Sequence, residues 1–302
     1  MNILILGSQG FIGSHLVSYF LSKKYIVHGC DLVEHSTDKY NYQKVSILSS
    51  DFETLFINQQ FDVCVYAAGS GNVAYSVLHP NSDFEANTLA VVKVLDTLRK
   101  FQPLCKYLQI SSAAVYGNPV DMPIRETNKI APLSPYGYHK WMCEIICKEY
   151  HELYNIQIAV IRPFSVYGNG LRKQLFWDIC EKLSHVDHIH LFGTGKESRD
   201  FLHIDDLCSL INTVIEQSAF EGDTYNAATG TETTIRQIAD IFQNALPGNK
   251  TIAFSSEIKP GDPINWSADV SKIKEIGFEP LISLATGIPD YIHWYSKHMH
   301  AE

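Results

Sequence analysis

Tyr136 and Lys140 stand four residues apart in SPYGYHK (134–140), and Ser112 closes the apolar run CKYLQISS (105–112) some twenty residues earlier. Residues four apart share one face of a helix, so the phenol and the ammonium can act on the same group. Oxidising an alcohol needs a base that takes the hydroxyl proton while hydride leaves the same carbon. A free tyrosine, with a pKa of ~10, is a poor base at neutral pH. A neighbouring cation stabilises the phenolate and corrects that. Ser112, at the end of a strand, is placed to hydrogen-bond the reacting oxygen. Two alanines, Ala113 and Ala114, follow it directly.

Such a trio works only on a scaffold that also holds a hydride carrier. The first half of the chain alternates short apolar runs with longer amphipathic ones: 2–6, 11–23, 25–31, KVSIL (44–48), 52–59, 61–68, 82–100, 105–112, 136–154 and 156–164. The strand runs are apolar throughout, as in strands buried on both faces. Strand, helix and strand repeated in this way predict an α/β fold, a Rossmann-type doubly wound parallel sheet. Beyond about residue 165 shorter elements separated by glycine-rich turns predict a smaller α/β domain. Residues 1–165 then form the dinucleotide-binding domain, to which later segments return, and 166–302 the substrate domain.

The first strand runs into Gly7, Gly10 and Gly13, spaced GxxGxxG, and then into an apolar helix. Glycines there permit a tight turn, close approach of a pyrophosphate and close packing of helix on strand. The second strand ends at Asp31, where a carboxylate can accept from both hydroxyls of an adenosine ribose and repels a 2′-phosphate. That favours NAD over NADP, the alternative being that Asp31 is a turn residue. Asp51, and Ala67, Ala68 and Gly69 after the fourth strand, are placed to line the adenine and pyrophosphate channel.

Composition narrows the partners. The chain has 302 residues, 45% of them hydrophobic and 19% charged, and a net charge of −9. This describes an ordinary globular protein and argues against nucleic-acid or membrane-surface binding. The apolar start NILIL is too short for a signal or membrane span, so a cytoplasmic protein is expected. Its seven cysteines include no CxxC pair, and they read as reduced core thiols, Cys143 and Cys147 included. His185, His188 and His190 in HVDHIH read as a loop entering a strand, and no metal is expected.

GxxGxxG, YAAG, SSAAVYG, YGYHK, RPFSVYG and RDFLHIDDL occur in the order found in the extended short-chain dehydrogenase/reductases that act on nucleotide sugars. The resemblance spans nearly the whole chain, and in its motifs the sequence looks like the UDP-glucose 4-epimerase branch. It implies that Tyr136 is the acid/base, that Lys140 tunes it and bonds the nicotinamide ribose, and that Ser112 assists. It implies further NAD contacts at Phe11, Ile12, Phe52, Asn87 and Phe164. Related dehydratases carry an Asp-Glu pair directly after the hydroxyl residue, and related decarboxylases keep a Glu at the second position. Here both positions are alanine, which leaves redox chemistry at C4.

Two outcomes of that chemistry stay open: a 4-epimerase that keeps its NAD, and a reductase of 4-keto-6-deoxy sugar nucleotides that exchanges NAD(P)H. A NAD-binding regulatory protein without chemistry is a third, which the intact Ser112, Tyr136 and Lys140 oppose. The resemblance makes Arg199 the diphosphate-binding arginine, unless it pairs with Asp200 on a turn. It places Ser165, Lys259 and Asp262 in the substrate pocket, with Ser165 where relatives have Asn and Lys259 where they have Arg. Trp266 would narrow the space at the sugar C2 substituent and favour a plain UDP-hexose, or else anchor the C-terminal region. The apolar positions Leu89, Val92, Met142, Ile145 and Ile146 give two helices a second apolar face, which in this family makes a homodimer. The segment GLRKQLFWD (170–178) replaces the more usual loop.

Overall fold

The computed structural model describes residues 1–257 and 264–299. In chain order the elements are β1 (Asn2–Leu6), α1 (Phe11–Ser22), β2 (Ile26–Asp31), β3 (Asn41–Lys44), α2 (Phe52–Asn58), β4 (Val63–Tyr66), α3 (Val73–Leu78), α4 (Pro80–Phe84), a π turn (Glu85–Leu89), α5 (Ala90–Phe101), β5 (Lys106–Ile110), a 3-10 turn (Ala113–Val115) and α6 (Pro135–Tyr154). There follow β6 (Ile158–Pro163), β7 (Ser165–Tyr167), α7 (Gln174–His185), β8 (His188–Leu191), β9 (Ser198–His203), α8 (Ile204–Gln217), β10 (Glu221–Ala227), β11 (Glu232–Thr234), α9 (Ile235–Ala245), β12 (Thr251–Phe254), α10 (Ser271–Glu275) and α11 (Leu284–Met299).

The main sheet has the order β10-β6-β5-β4-β1-β2-β3, and every pairing in it is parallel. This is the doubly wound sheet expected from the unbroken apolar runs. Helices α1 and α8 cover one face through Leu16, Phe20, Leu207 and Ile211. Helices α2, α5 and α6 cover the other through Phe52, Val94, Leu98 and Cys147. Because β2 and β3 lie to one side of β1 and β4 to the other, the strand order reverses between β1 and β4. A crevice opens there at the carboxyl ends of the strands. A three-stranded sheet, β11-β9-β7, and a two-stranded one, β12-β8, stand beyond it, packed with α7, α9 and α11 around Phe176, Phe242 and Tyr291.

Two elements depart from the sequence reading. The third strand is Asn41–Lys44 rather than KVSIL. It is an edge strand, so polar side chains suit it, while Val45, just past it, still donates to Asp31 O at 3.0 Å and buries its side chain in the core that α2 joins. The helix expected over 82–100 is divided. Pro80 opens α4 and the widened turn Glu85–Leu89 joins it to α5, a distortion of the kind that often marks functional sites. The expected second apolar face is exposed at Leu89 (44%), Met142 (38%) and Ile145 (48%), with Val92 and Ile146 half-buried. All seven cysteines are free and buried. No described helix is long and apolar enough to cross a membrane.

Candidate active site

The glycine turn is a cradle that side chains would fill. Gly7 has φ +83°, and a Cβ on it would lie 2.7 Å from the backbone of Ala68; one on Gly13 would lie 2.0 Å from Gly7 O. Gly10 caps α1 without a side-chain bond, and the first turn, which includes Phe11 and Ile12, carries no acidic residue. Its N–H groups are therefore turned toward the crevice, as an anion requires. The Asp31 carboxylate accepts from Gln9 N at 2.8 Å and Leu32 N at 2.7 Å, which fixes it beside this turn with lone pairs to spare.

Ala67 and Ala68 line the end of β4, half-buried. Gly69, at φ +98°, sits against Asn87, whose Oδ1 would be 2.4 Å from a Cβ there. Asn87 is fully buried; its Nδ2 donates to Asp83 O and Ser70 O, and its Oδ1 has no partner. An orphaned buried acceptor at the crevice fits a ligand that donates to it. Asp51 is exposed at the start of α2. Phe52 is turned inward: its ring packs on Phe56 at 5.3 Å in the core, so it can offer a ligand only its backbone.

The proposed chemical groups converge at the ends of β5 and the start of α6. Ser112 caps the 3-10 turn, its Oγ accepting from Ala114 N at 3.1 Å. Lys140 is 5% exposed. Its Nζ donates to Ile110 O at 3.1 Å and lies 5.9 Å from the centre of the Tyr136 ring. Tyr136 N donates to Ser76 Oγ at 3.1 Å, which ties the start of α6 to α3. Ala113 is fully buried, and Ala114 O would be 2.7 Å from a Cβ on Gly137. The glycine after Tyr136 is thus what lets α6 dock on the alanine turn.

Beneath these groups lies a network the sequence did not reveal. Arg162 donates to both Glu144 oxygens at 3.0 and 2.6 Å, and to Tyr116 Oη at 2.7 Å. Ser111 Oγ donates to Glu144 at 2.5 Å. Burial opposes the charge on Arg162, but Glu144 outweighs it and the guanidinium pKa is raised. Glu144 lies one turn after Lys140 on α6, but its partner Arg162 is on β6, and no spacing in the sequence joins the two. A second buried pair, His139 Nδ1 and Asp83 Oδ2 at 2.6 Å, joins α6 to α4.

Across the crevice, Phe164 and Trp266 meet edge to face at 5.7 Å, and Trp266 Nε1 donates to Gly117 O at 3.0 Å. Arg199 lies 5.7 Å from the Trp266 ring and donates to Ser198 O and Ile264 O. Asp200 turns the other way, accepting from Thr229 N, Thr229 Oγ1 and Gly230 N. Ser165 is half-buried in β7. Lys259 and Asp262 lie outside the described residues. His188 Nδ1 meets Thr251 Oγ1 at 2.6 Å where β8 joins β12. A cavity of about 730 Å³ opens at the opposite edge of the main sheet, walled by Phe61, Phe101 and Leu104, away from all these groups.

Fold and crevice together define a doubly wound α/β scaffold with a tyrosine and a lysine at the strand ends. The family model described as "NAD dependent epimerase/dehydratase family" matches residues 3–228. The chain belongs to that family, and it is an NAD-dependent enzyme of the extended short-chain dehydrogenase/reductase class. It is 27% identical to the UDP-glucose 4-epimerase of Mycolicibacterium smegmatis over 98% of both chains. Its structure is similar to that of UDP-glucose 4-epimerase from Thermotoga maritima with UDP-glucose, with a TM-score of 0.91, 26% identity and coverage of 99% and 100%. It is likewise similar to UDP-glucuronic acid 4-epimerase from Bacillus cereus in complex with UDP-glucuronic acid and NAD, with a TM-score of 0.90, 25% identity and coverage of 99% and 100%.

Proposed function

We propose that the protein is a nucleotide-sugar 4-epimerase that acts on a UDP-hexose and keeps its NAD through the cycle. The observation that carries this reading is the shell around Tyr136: a phenol, an ammonium and a hydroxyl, with a fully buried alanine and a backbone-packed alanine beside Ser112. Elimination of water would need a further acid and base at that place, whereas oxidation and re-reduction at C4 need none. The relatives named above are epimerases of UDP-sugars.

In this reading Gly7, Gly10, Phe11, Ile12 and Gly13 hold the pyrophosphate and Asp31 the adenosine ribose. Asp51, Phe52, Ala67, Ala68, Gly69, Asn87 and Phe164 complete the pocket. When bound, NAD would supply a reversible hydride acceptor for the sugar C4. Tyr136 takes the proton from the C4 hydroxyl and returns it. Lys140, anchored on Ile110 O, holds positive charge by the phenol, and Ser112 orients the reacting oxygen. Between the two half-reactions the 4-keto sugar turns its other face. Arg199 grips the diphosphate, and Ser165, Lys259, Asp262 and Trp266 bound the rest of the pocket. A wall formed by Trp266 suits a plain hexose such as that of UDP-glucose or UDP-galactose. The exposed Leu89, Met142 and Ile145, with the half-buried Val92 and Ile146, form a homodimer interface, and free buried thiols suit the reducing cytoplasm.

The alternative, a 4-keto sugar nucleotide reductase working with NAD(P)H, keeps the same Tyr136 and Lys140. The two part on cofactor stoichiometry. In a proton NMR time course with UDP-glucose and UDP-N-acetylglucosamine and no added cofactor, the C4 epimer of UDP-glucose should appear by its anomeric signal. Stoichiometric consumption of NADH or NADPH on a 4-keto-6-deoxy sugar nucleotide, without epimerisation, would give the site to the reductase.

A further inference from the structure

The segment between β7 and α7 crosses the crevice. At one end His15 Nε2 and Asn169 O are 2.8 Å apart. Gly170, at φ +91°, sits over the first turn of α1, where an added Cβ would lie 3.6 Å from His15 and 3.8 Å from Phe11. In the middle Leu171 is buried and its carbonyl accepts from Tyr291 Oη at 2.6 Å. At the far end Lys173 reaches the turn that follows β4: a Cβ on Gly71 would lie 3.5 Å from Lys173 Nζ. Since β1 and β4 are neighbours in the sheet, the segment spans the mouth of the dinucleotide cradle from the helix start to the β4 turn.

Among the described residues the ammonium at the end of this span has no counter-charge. Lys173 is an exposed residue, and partial burial of its ammonium lowers its pKa; it enters no ion pair among the described residues. A partly desolvated, uncompensated cation is stabilised by an anion placed against it. On the facing side, the uncapped N–H groups of α1 call for negative charge as well.

We infer that Lys173 is a pyrophosphate ligand that closes over the dinucleotide opposite the N-terminus of α1. The anion is assigned to the dinucleotide rather than to the sugar nucleotide because the segment rests on Phe11, His15 and Gly71, all elements of the cradle. Arg199 and Trp266 stand on the other lobe. The inference rests on the reading of Gly7 to Gly13 as the cofactor cradle. It deepens the proposed function, because a clamp that slows cofactor release suits a reaction in which hydride is taken and given back.

The test compares wild type with Lys173→Gln, Lys173→Arg and, as a neighbouring control, Arg172→Gln. NAD per protomer is measured in heat extracts of the purified proteins. Affinities for ADP-ribose and for UDP are measured on cofactor-stripped protein by calorimetry. A charge-assisted bond predicts that Lys173→Gln binds ADP-ribose roughly ten- to a hundredfold more weakly and purifies with less NAD. UDP affinity should be unchanged, and Lys173→Arg should keep most of the ADP-ribose affinity. Unchanged ADP-ribose affinity in Lys173→Gln overturns the inference, and a loss confined to UDP would hand Lys173 to the substrate. None of these readouts needs turnover, so they stand apart from the epimerase assay. A wild type that binds neither NAD nor ADP-ribose would sink the cradle itself.

Discussion

Replacing Glu144 with Gln strips the counter-ion from a guanidinium that has almost no access to water. The two side chains are 7% and 9% exposed and share a bidentate bond, and Ser111 leans on the same carboxylate. Removing one partner of a buried pair costs about 3–5 kcal/mol, because the other charge stays behind uncompensated. Unfolding entropy of about 2.1 cal/mol/K per residue gives the 302-residue chain roughly 0.6 kcal/mol per degree. Glu144→Gln should therefore lower the unfolding midpoint by about 5–8 °C in calorimetry at neutral pH. Replacing both partners with apolar residues of similar volume, Glu144→Leu with Arg162→Met, should recover much of that loss, since no charge is then stranded. Turnover should fall as well, because the Ser111 tether positions the residue before Ser112. A midpoint within about 2 °C of wild type for Glu144→Gln would refute the reasoning, since the pair would then be worth no more than a surface one.

Tyr136→Phe should lose most of its turnover and still purify with NAD, as judged by NMR and by cofactor extraction; full activity would end the assignment of Tyr136. Gly13→Ala puts a methyl 2.0 Å from Gly7 O, so either α1 or the turn must move. The expected result is a stability loss of about 1–3 kcal/mol by denaturant unfolding, with NAD retention reduced. His203 is 6% exposed, and its Nδ1 accepts from Asp205 N as the cap of α8. Burial lowers its pKa, so the unfolded chain binds its proton first as pH falls. That part of the stability is complete above the ordinary histidine value of about 6.5 and is lost as pH drops below it. His203→Asn keeps a capping side chain and should flatten the pH dependence of the unfolding midpoint between pH 7 and 5.

The parts of the fold that follow from burial were legible in the residues. Within NILIL and FDVCVYAA the stretches 3–6 and 63–66 are apolar at every position because the strands are covered on both faces, and their alternation with amphipathic runs gives the parallel doubly wound sheet. The edge strand was misplaced for the same reason: Asn41–Lys44 is half-covered, so its polar residues carry no apolar signal, while Val45 and Ile47 beyond it pack into the core. The trio Ser112, Tyr136 and Lys140 was legible because its spacing is helical and its strand end is marked by a small-residue turn. The network below it was not. Glu144 and Arg162 are 18 positions apart and meet only because α6 lies across β5 and β6. Lys173 escaped for a similar reason, since its meaning depends on Gly71, which a hundred residues of chain separate from it.

What remains is why a site with so few groups should favour return of the hydride over its export. A reductase must let the cofactor out in every cycle, so each contact that outlasts the reaction slows it. Here Gly7 and Gly13 bring the backbone against the site where the pyrophosphate is proposed to lie, and Asp31 is pinned by two backbone amides on the ribose side. The segment carrying Lys173 then crosses the opening. Contacts of this kind lower the free energy of the cofactor complex equally before and after hydride transfer, so they leave the chemical step alone and act on release. The sugar, by contrast, must loosen enough to turn between half-reactions. The proposed sugar contact Ser165, half-buried in β7, has a short side chain that would hold less firmly on that side. A tight cofactor lobe facing a looser sugar lobe is the asymmetry that an internal, reversible oxidation requires.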